Sequence, residues 1–335
     1  MKHIITSIRR SILLLAIACC SLSAQAQFCR LFDSEYDLPN TLLNDVVEDT
    51  NHMIWVATED GLYRYDGSKF STYKYDPTNP HSVQENYVRC LFVDRAGHLL
   101  VGSRGGLQIY RPDTDDFTEA ACMPGESVSR GDIANIYQRR DGSIWMTGNI
   151  TTSLLIDENG IPSLAKNEMT DAVDFTEHIT EDMDGRIWVA KGVGEVYRLE
   201  KDGTVTHVRY DNPDHNFYTL FTAADGNLYA GAQKQGLYRY NRNTDAFEIQ
   251  GTPDDAYYQI RDMHSYSQEE MLVGTDNAGL KLFNFKTNTF RPYVFDNGRL
   301  DPFTQKVHAI CLDGDNSIWL ALYQKGLMYI PNEQQ

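Results

Sequence analysis

The chain has 335 residues, with 47 acidic and 30 basic side chains and a formal net charge of −17. An acidic chain without basic clusters is poorly suited to bind nucleic acid or an anionic membrane surface, because both carry dense negative charge. The 20 tyrosines and 14 phenylalanines favour a β-rich fold, since aromatic residues are enriched in strands.

The first residues have the pattern of a secretory signal peptide. Positive residues precede the apolar stretch Ser11–Cys20, and a small-x-small cleavage site ends at Ala26. An apolar run of about ten residues is too short to span a bilayer, which takes about 20. We expect residues 1–26 to be removed and residues 27–335 to be a single domain exported to the periplasm, without membrane insertion. An uncleaved anchor and a lipoprotein are the alternatives.

An apolar pair followed by small residues recurs seven times in the rest of the chain. The second members of successive pairs are 45, 45, 43, 41, 43 and 47 residues apart, and a period in this range indicates a repeat architecture. The pairs are Ile54-Trp55, Leu99-Leu100, Ile144-Trp145, Ile187-Trp188, Leu228-Tyr229, Met271-Leu272 and Ile318-Trp319.

The first repeat predicts four short strands joined by tight turns. They cover residues 46–49, 53–58, 62–65 and 69–75, and Asp-Gly pairs such as Asp141-Gly142 mark the first turn in other copies, predicting hairpins with positive φ at both central residues. Four antiparallel strands repeated seven times predict an all-β, seven-bladed β-propeller. We expect the four tryptophans to lie in the core between blades.

The two ends of the chain are predicted to meet in the last blade. The final repeat stops after its third strand, at about Ile330, whereas Phe28–Phe32 resembles the fourth strand of the first repeat, Phe70–Tyr73. The N-terminal strand should therefore close blade 7 from the outside, which removes an exposed sheet edge.

Metal and cofactor motifs are absent from the sequence, and we predict no metal and no cofactor. Asp313-Gly314-Asp315 begins like a calcium loop, but the twelfth position is Gln324, which does not chelate as a glutamate does. A hairpin turn is the favoured interpretation. Cys90 and Cys311 fall inside apolar strands, and the sequence leaves the disulfide status of the four cysteines after residue 26 open.

A ligand is expected at the end of the propeller formed by the loops between second and third strands and by the connections between blades. Neutral hydrogen-bonding groups beside aromatic rings suit sugars, because rings stack on apolar sugar faces while amides bind hydroxyls. The candidate binding residues are Asn44, Glu59, Asp60, Tyr87, Arg104, Asn149, Lys191, Lys234, Tyr257, Asp276, Gln324 and Lys325.

Catalytic motifs are also absent from the sequence, and we predict no catalytic residue. Glu59-Asp60 is the one adjacent carboxylate pair in a loop between second and third strands. Two neighbouring carboxylates in one turn do not reach opposite sides of a glycosidic bond, as hydrolysis requires. A binding protein is therefore favoured over an enzyme.

The first repeat resembles the two-component regulator propeller repeat. The resemblance rests on Leu38-Pro39-Asn40, on residues 46–49, and on the segments Ile54–Thr58 and Gly61–Asp66. It extends over residues 28–330. It implies the periplasmic sensor part of a hybrid two-component system, which dimerises and reports carbohydrate fragments to a histidine kinase. This chain ends at Gln335 without a kinase, so we expect a sensing part that lacks its own transmitter.

The resemblance implies an oligosaccharide ligand and, as protein partner, a membrane sensor kinase or a second copy of the chain. The alternatives are a periplasmic scaffold that binds a membrane receptor and no small molecule, and a propeller enzyme that acts on glycans. The sequence leaves open the ligand, the oligomeric state and whether the gene is a truncated sensor or a standalone module.

Overall fold

The computed structural model describes residues 29–36, 38–39, 41–122, 131–191, 194–208, 216–295, 298 and 300–332. These residues form seven sheets, which are antiparallel apart from one short strand in blade 3. The inner strand of each sheet contacts the inner strands of both neighbours, with the seventh contacting the first. This closed ring confirms the predicted seven-bladed β-propeller. The predicted signal peptide lies outside the described residues, and within them no helix has the length and apolarity needed to cross a membrane.

Each blade runs from an inner strand at the axis to an outer strand at the circumference. From the inside outward the strands are β2 (Leu43–Glu48), β3 (Ile54–Thr58), β4 (Gly61–Tyr65) and β5 (Phe70–Tyr73) in blade 1; β6 (Val88–Val93), β7 (Leu99–Ser103), β8 (Gly106–Arg111) and β9 (Asp116–Glu119) in blade 2; β11 (Ile133–Gln138), β12 (Ile144–Gly148), β13 (Thr152–Ile156), β14 (Pro162–Ala165) and β10 (Ala121–Cys122) in blade 3; β15 (Thr176–Glu181), β16 (Ile187–Lys191), β17 (Glu195–Leu199) and β18 (Val205–Val208) in blade 4; β19 (Phe217–Thr222), β20 (Leu228–Ala232), β21 (Leu237–Asn241) and β22 (Ala246–Ile249) in blade 5; β23 (Ile260–Ser265), β24 (Glu270–Thr275), β25 (Leu280–Asn284) and β26 (Thr289–Pro292) in blade 6; and β27 (Val307–Leu312), β28 (Ile318–Leu322), β29 (Gly326–Ile330) and β1 (Arg30–Phe32) in blade 7. Blade 3 departs from the four-stranded plan, because the short β10 pairs in parallel with the outer strand β14.

The chain alternates between two ends of this ring. The entry face is the end that carries the loops between second and third strands and the connections from an outer strand to the next inner strand. The turn face is the opposite end, which carries the first and third hairpin turns of each blade. Two short 3-10 segments, Ser34–Tyr36 and Pro253–Tyr257, lie in connections on the entry face.

The tryptophans lie between blades, as predicted. Trp55 is fully buried and belongs to a cluster with Leu91, Leu99 and Val101 of blade 2. Each sheet has two faces to cover, and only a neighbouring blade provides the apolar surface to do so. A buried aromatic removes about 150–250 Å² from water, so these contacts hold the blades together.

An aspartate at the end of the inner strand fixes several tryptophans. The indole Nε1 donates to an aspartate Oδ2 at 2.7 Å in the pair Trp55–Asp49 and at 2.9 Å in Trp319–Asp313. In blade 3 the ring of Trp145 instead packs under the guanidinium of Arg139, at 4.9 Å.

The Asp313 segment is the predicted hairpin turn. Asp313 Oδ1 accepts the backbone N–H of Ser317 at 2.8 Å while Oδ2 accepts the Trp319 indole. Both carboxylate oxygens therefore hold the turn and the core tryptophan. Within the described residues no group of three or more histidine, cysteine or acidic side chains could hold a metal ion.

The predicted geometry of the first turn is wrong in one respect. Gly142 has a φ of 93°, but Asp141 is not among the residues with positive φ. Gly142 N–H donates to the Arg139 carbonyl at 3.0 Å and Arg139 N–H donates to the Ser143 carbonyl at 2.8 Å. The loop therefore has three residues and one left-handed position, a type I turn with a bulge, and the Asp141 carboxylate accepts the Ser143 N–H.

The N-terminal strand closes blade 7, as predicted. β1 pairs antiparallel with β29, with Arg30 opposite Tyr329 and Phe32 opposite Leu327. Phe32 is 2% exposed, and its ring lies 5.9 Å from that of Trp319 and 4.8 Å from that of Tyr65 in blade 1. The first strand thus joins the last blade to the first.

Candidate functional site

Every inner strand begins with a β-bulge at the entry face. In all seven blades the pairing with the second strand skips the second residue of the inner strand. A bulge redirects the side chain of the extra residue and is common beside functional sites. The seven bulge residues form what we call the axial ring: Asn44, Arg89, Ala134, Glu177, Tyr218, Arg261 and His308.

The axial ring lines a cavity of about 370 Å³ on the propeller axis, within the range of roughly 300–1,000 Å³ typical of small-ligand sites. Tyr87 adds a ring from the connection between blades 1 and 2. The next residue of several inner strands forms the floor, which consists of Asp45, Cys90, Asn135, His178, Asp262 and Ala309.

The floor carboxylates tie neighbouring blades together. Asp45 Oδ2 accepts the backbone N–H of Leu91 in blade 2 at 2.8 Å, and Asp262 Oδ2 accepts that of Ile310 in blade 7 at 2.7 Å. Burial raises the pKa of Asp45 to about 7 and that of Asp262 to about 6, since a low dielectric disfavours the charged form. These groups give the cavity a rigid base whose charge depends on pH.

His178 likewise connects blade 4 to blade 5. Its Nδ1 lies 3.3 Å from the backbone nitrogen of Leu220, which donates to it. Burial lowers the pKa of His178 to about 4, so the ring is neutral at pH 7 and Nδ1 is free to accept the hydrogen bond.

One side of the cavity wall contains an arginine whose positive charge is balanced by two carboxylates. The Arg89 guanidinium pairs with Asp132 and, at 2.8 Å, with Oε2 of Glu177 in blade 4. Two carboxylates surround one cation, so Arg89 offers no net positive charge to a ligand. Asp132 Oδ1 is buried and has no hydrogen-bond partner among the described residues.

The opposite side combines stacked rings and charges from blades 5, 6 and 7. His308 Nε2 lies 3.0 Å from Oδ1 of Asp276, and its ring stacks on Tyr323 with centroids 4.3 Å apart. The Arg261 guanidinium lies over the ring of Tyr218 at 4.5 Å. These groups offer donors, acceptors and aromatic surface within one wall.

The structure brings some of the sequence-predicted residues to this site. Asn44 and Tyr87 line the cavity, and Arg104 packs over the Tyr87 ring at 3.8 Å. Asp276 contacts the axial ring, while Glu59 accepts the Tyr323 hydroxyl at 3.3 Å.

Other predicted residues lie on the entry face but away from the cavity lining. Asp60 pairs with Lys74 at 2.6 Å, so the adjacent Glu59 and Asp60 point to different partners. Lys191 pairs with Asp174 at 2.7 Å. The remaining five lie in four loops, with Asn149 half-buried and the others exposed: Asn149, Lys234, Tyr257, Gln324 and Lys325.

Most residues of the axial ring are not among those predicted from the sequence, although the sequence carries a signal for them. Each ring residue lies 11 positions before the second member of the apolar pair of its repeat, as Arg89 lies before Leu100 and His308 before Trp319. This position is mostly polar and varies from one repeat to the next. The bulge that turns this position into the cavity is invisible in the residue pattern.

No protein-family model matches the chain, and no match to a curated protein was found. Among solved structures, the extracellular domain assigned to the hybrid two-component system BT3049 from B. thetaiotaomicron is similar over 91% of this chain and 42% of that one, with 22% identity and a TM-score of 0.75. The corresponding domain of BT4673 from the same organism matches over 89% and 42%, with 17% identity and a TM-score of 0.69. A streptogramin B lyase matches over 90% and 96%, with 15% identity and a TM-score of 0.65. The chain thus spans about two fifths of the length of the first two extracellular domains, and at these identities the likeness is one of fold.

Proposed function

We propose that this protein is an exported sensory propeller that binds saccharides in the axial cavity of the entry face. The observation that carries the proposal is the axial ring, in which seven bulges converge on one cavity. Its lining combines the ring surfaces of Tyr87 and Tyr218 with donors and acceptors from Asn44, Arg261 and His308. Such a mixture suits sugars, whose apolar faces stack on rings while their hydroxyls need hydrogen bonds.

The sensory part of the proposal has two further supports. Two of the similar structures are described as extracellular domains of hybrid two-component systems. The first 26 residues also have the charge and hydrophobicity pattern of a cleaved export signal,. Export would place the cavity where fragments of external polysaccharides arrive.

Binding is tested by titrating the purified protein with a panel of gluco-, manno-, xylo- and fructo-oligosaccharides in a calorimeter. We expect one series to bind, and Tyr218→Ala and Arg261→Gln each to weaken that binding at least tenfold. Tyr266→Ala is the matched control, because Tyr266 is 41% exposed in the first turn of blade 6, on the turn face.

Three outcomes contradict the proposal. Equal loss in the control variant would place the ligand elsewhere. Failure of every glycan, combined with capture of a membrane receptor, would favour a scaffold. Conversion of a glycan to product would indicate an enzyme.

Export has its own test. When the full-length gene is expressed in a Gram-negative host, the protein should be released by osmotic shock with Gln27 as its first residue, as read by mass spectrometry. Retention in the cytoplasm with Met1 intact would remove the extracellular part of the proposal.

A further inference from the structure

Two lysines on the entry face line a second cavity. Lys306 belongs to the connection that leads into blade 7, and Lys325 belongs to the turn between β28 and β29. Both line a cavity of about 490 Å³, which we call the lysine cavity, and a volume of this order is typical of small-ligand sites. Its other lining residues are Leu300, Asp301, Thr304, Gln305, Tyr323 and Gln324.

Neither lysine forms an ion pair within the part of the chain that the structure describes. Arg104 and Lys234 of the same face also lack a carboxylate partner there, but they lie in separate loops. Three other lysines of this face each pair with an aspartate at 2.6–3.0 Å: Lys74 with Asp60, Lys166 with Asp171 and Lys191 with Asp174. The lysine cavity thus holds two cations whose charge the protein leaves unpaired.

The carboxylates near the two lysines have other partners. Asp301 lines the lysine cavity, but its Oδ1 accepts the backbone N–H of Phe303 at 2.9 Å and so holds its own loop. Asp276 lies within electrostatic reach of Lys306, but its Oδ1 is 3.0 Å from Nε2 of His308. Two lysines and one aspartate give the lining of the lysine cavity a formal charge of +1.

The backbone holds both lysines in place. The Tyr323 N–H donates to the Lys306 carbonyl at 2.9 Å. Gln324, which precedes Lys325, has a φ of 64°, and its N–H donates to the Thr41 carbonyl at 2.7 Å. A residue other than glycine is uncommon in this region of φ, and such strain is concentrated at functional sites.

The lysine cavity borders the axial cavity. Tyr323 lines the lysine cavity, and its ring stacks on His308 of the axial ring with centroids 4.3 Å apart. The Lys306 Nζ lies 5.8 Å from the centroid of the Tyr323 ring, and the Tyr323 hydroxyl donates to Glu59 at 3.3 Å. A group bound between the lysines would therefore lie beside the occupant of the axial cavity.

Two unpaired ammonium groups in one cavity suit an oxyanion. An ammonium is a compact point charge with three donors, and it binds carboxylate, phosphate or sulfate through charge rather than through a fixed planar geometry. Charges farther away than about 8 Å are largely screened at physiological salt. The formal net charge of −17 therefore does not prevent an anion from binding at a local pair of cations.

We propose that Lys306 and Lys325 form a binding site for an oxyanion, which is the carboxylate, phosphate or sulfate group of a small ligand. Lys325 is among the residues that the sequence predicts for binding, and Lys306 is added by the structure. The lysine cavity is distinct from the axial cavity, so this inference does not depend on saccharide binding there.

The test measures how fast each lysine of the purified protein is acylated by N-hydroxysuccinimidyl acetate, read by peptide mass spectrometry. Sodium sulfate, phosphate and malonate are the probes, and sodium chloride at the same ionic strength is the reference. At least one probe should slow the acylation of Lys306 and Lys325 at least threefold. Lys69, which is exposed in the third turn of blade 1 on the turn face, should change less than 1.5-fold.

Substitutions then show whether the two lysines act together. Lys306→Gln should weaken the affinity for the protecting anion, measured by titration of the protection at Lys325, at least fivefold. Lys306→Arg, which keeps the charge, should stay within twofold of the unmodified protein. Lys69→Gln is the matched control and should also stay within twofold, and thermal melts verify that each variant is folded.

The outcomes decide both the site and the source of the anion. Protection strongest with malonate assigns the site to a carboxylate, and protection strongest with sulfate or phosphate assigns it to a sulfated or phosphorylated ligand. Equal protection by chloride, or equal protection of Lys69, would show screening alone and overturn the inference. An unchanged affinity in Lys306→Gln would overturn the joint site. Failure of every saccharide to bind the axial cavity would leave this inference intact.

Discussion

Ring closure can be tested at a single glycine. Gly326 starts β29 with a φ of +127°, and a Cβ there would overlap the carbonyl oxygen of Phe32 in the closing strand β1. Gly106 is its matched control, because it starts β8 with a φ of +131° but would meet only the flexible side chain of Gln84, at 3.3 Å. Alanine at either site is strained, and only Gly326→Ala also displaces the strand that joins the ends of the ring.

The expected loss of stability follows from the backbone strain of an alanine and from the lost packing of Phe32. An L-residue in such a backbone region costs about 1–3 kcal/mol, which both variants share. Complete loss of a buried phenylalanine from a core costs about 3–5 kcal/mol, and Phe32 is 2% exposed against Tyr65 and Trp319. Displacement of about half of that packing should make Gly326→Ala less stable than Gly106→Ala by about 2 kcal/mol.

The assay is equilibrium urea unfolding followed by the fluorescence of the four tryptophans. Phe32→Ala is made both in the native protein and in the Gly326→Ala variant. Phe32→Ala should cost at least about 1 kcal/mol less in the Gly326→Ala background than in the native one, because β1 is already displaced there. Equal losses for the two glycine variants, or full additivity with Phe32→Ala, would show that β1 does not hold the ring closed.

Three further predictions concern buried polar groups. Trp55→Phe should lower the free energy of unfolding in urea by about 1–3 kcal/mol through the unpaired oxygen of Asp49 alone. Trp145→Phe in blade 3 leaves no aspartate oxygen unpaired, so similar losses in the two variants would contradict the role of the Asp49 bond. The pKa of Asp45 is raised to about 7, so the folded state binds a proton more tightly than the unfolded state. The free energy of unfolding should therefore fall as pH rises from about 4 to 7. Asp45→Asn should flatten this decline in thermal melts, and an unchanged slope would refute the role of Asp45. Burial raises the pKa of the Cys90 thiol, so iodoacetamide at pH 8 should label it, by peptide mass spectrometry, only after urea is added; rapid labelling of the native protein would contradict its burial.

Much of the fold was predictable because it depends on local rules that repeat. The apolar pair at Ile54-Trp55 and its six counterparts specify the second strands, and the match between Phe28–Phe32 and Phe70–Tyr73 specified the closing strand. The turns were predicted in position but not in geometry, because Asp141 contributes a side-chain acceptor to a three-residue loop rather than a positive φ.

The candidate site was predictable only in its location. Loop residues such as Tyr87 and Asp276 were recognisable by their place between strands. Tyr87 lines the cavity, and Asp276 contacts the cavity residue His308. Arg89 and His308 were not recognised, because within a short strand nothing in the residue pattern distinguishes a bulged position from a paired one.

The sequence by itself determined the number of blades, the order of the strands and the meeting of the two ends, since each follows from the period and from the hydrophobic pattern of one repeat. Only the tertiary structure decided which side chains converge, because residues about 44 positions apart become neighbours when the inner strands close around the axis. That closure also pairs the Arg89 cation with a carboxylate from blade 4 and raises the pKa of Asp45 by burying it against blade 2.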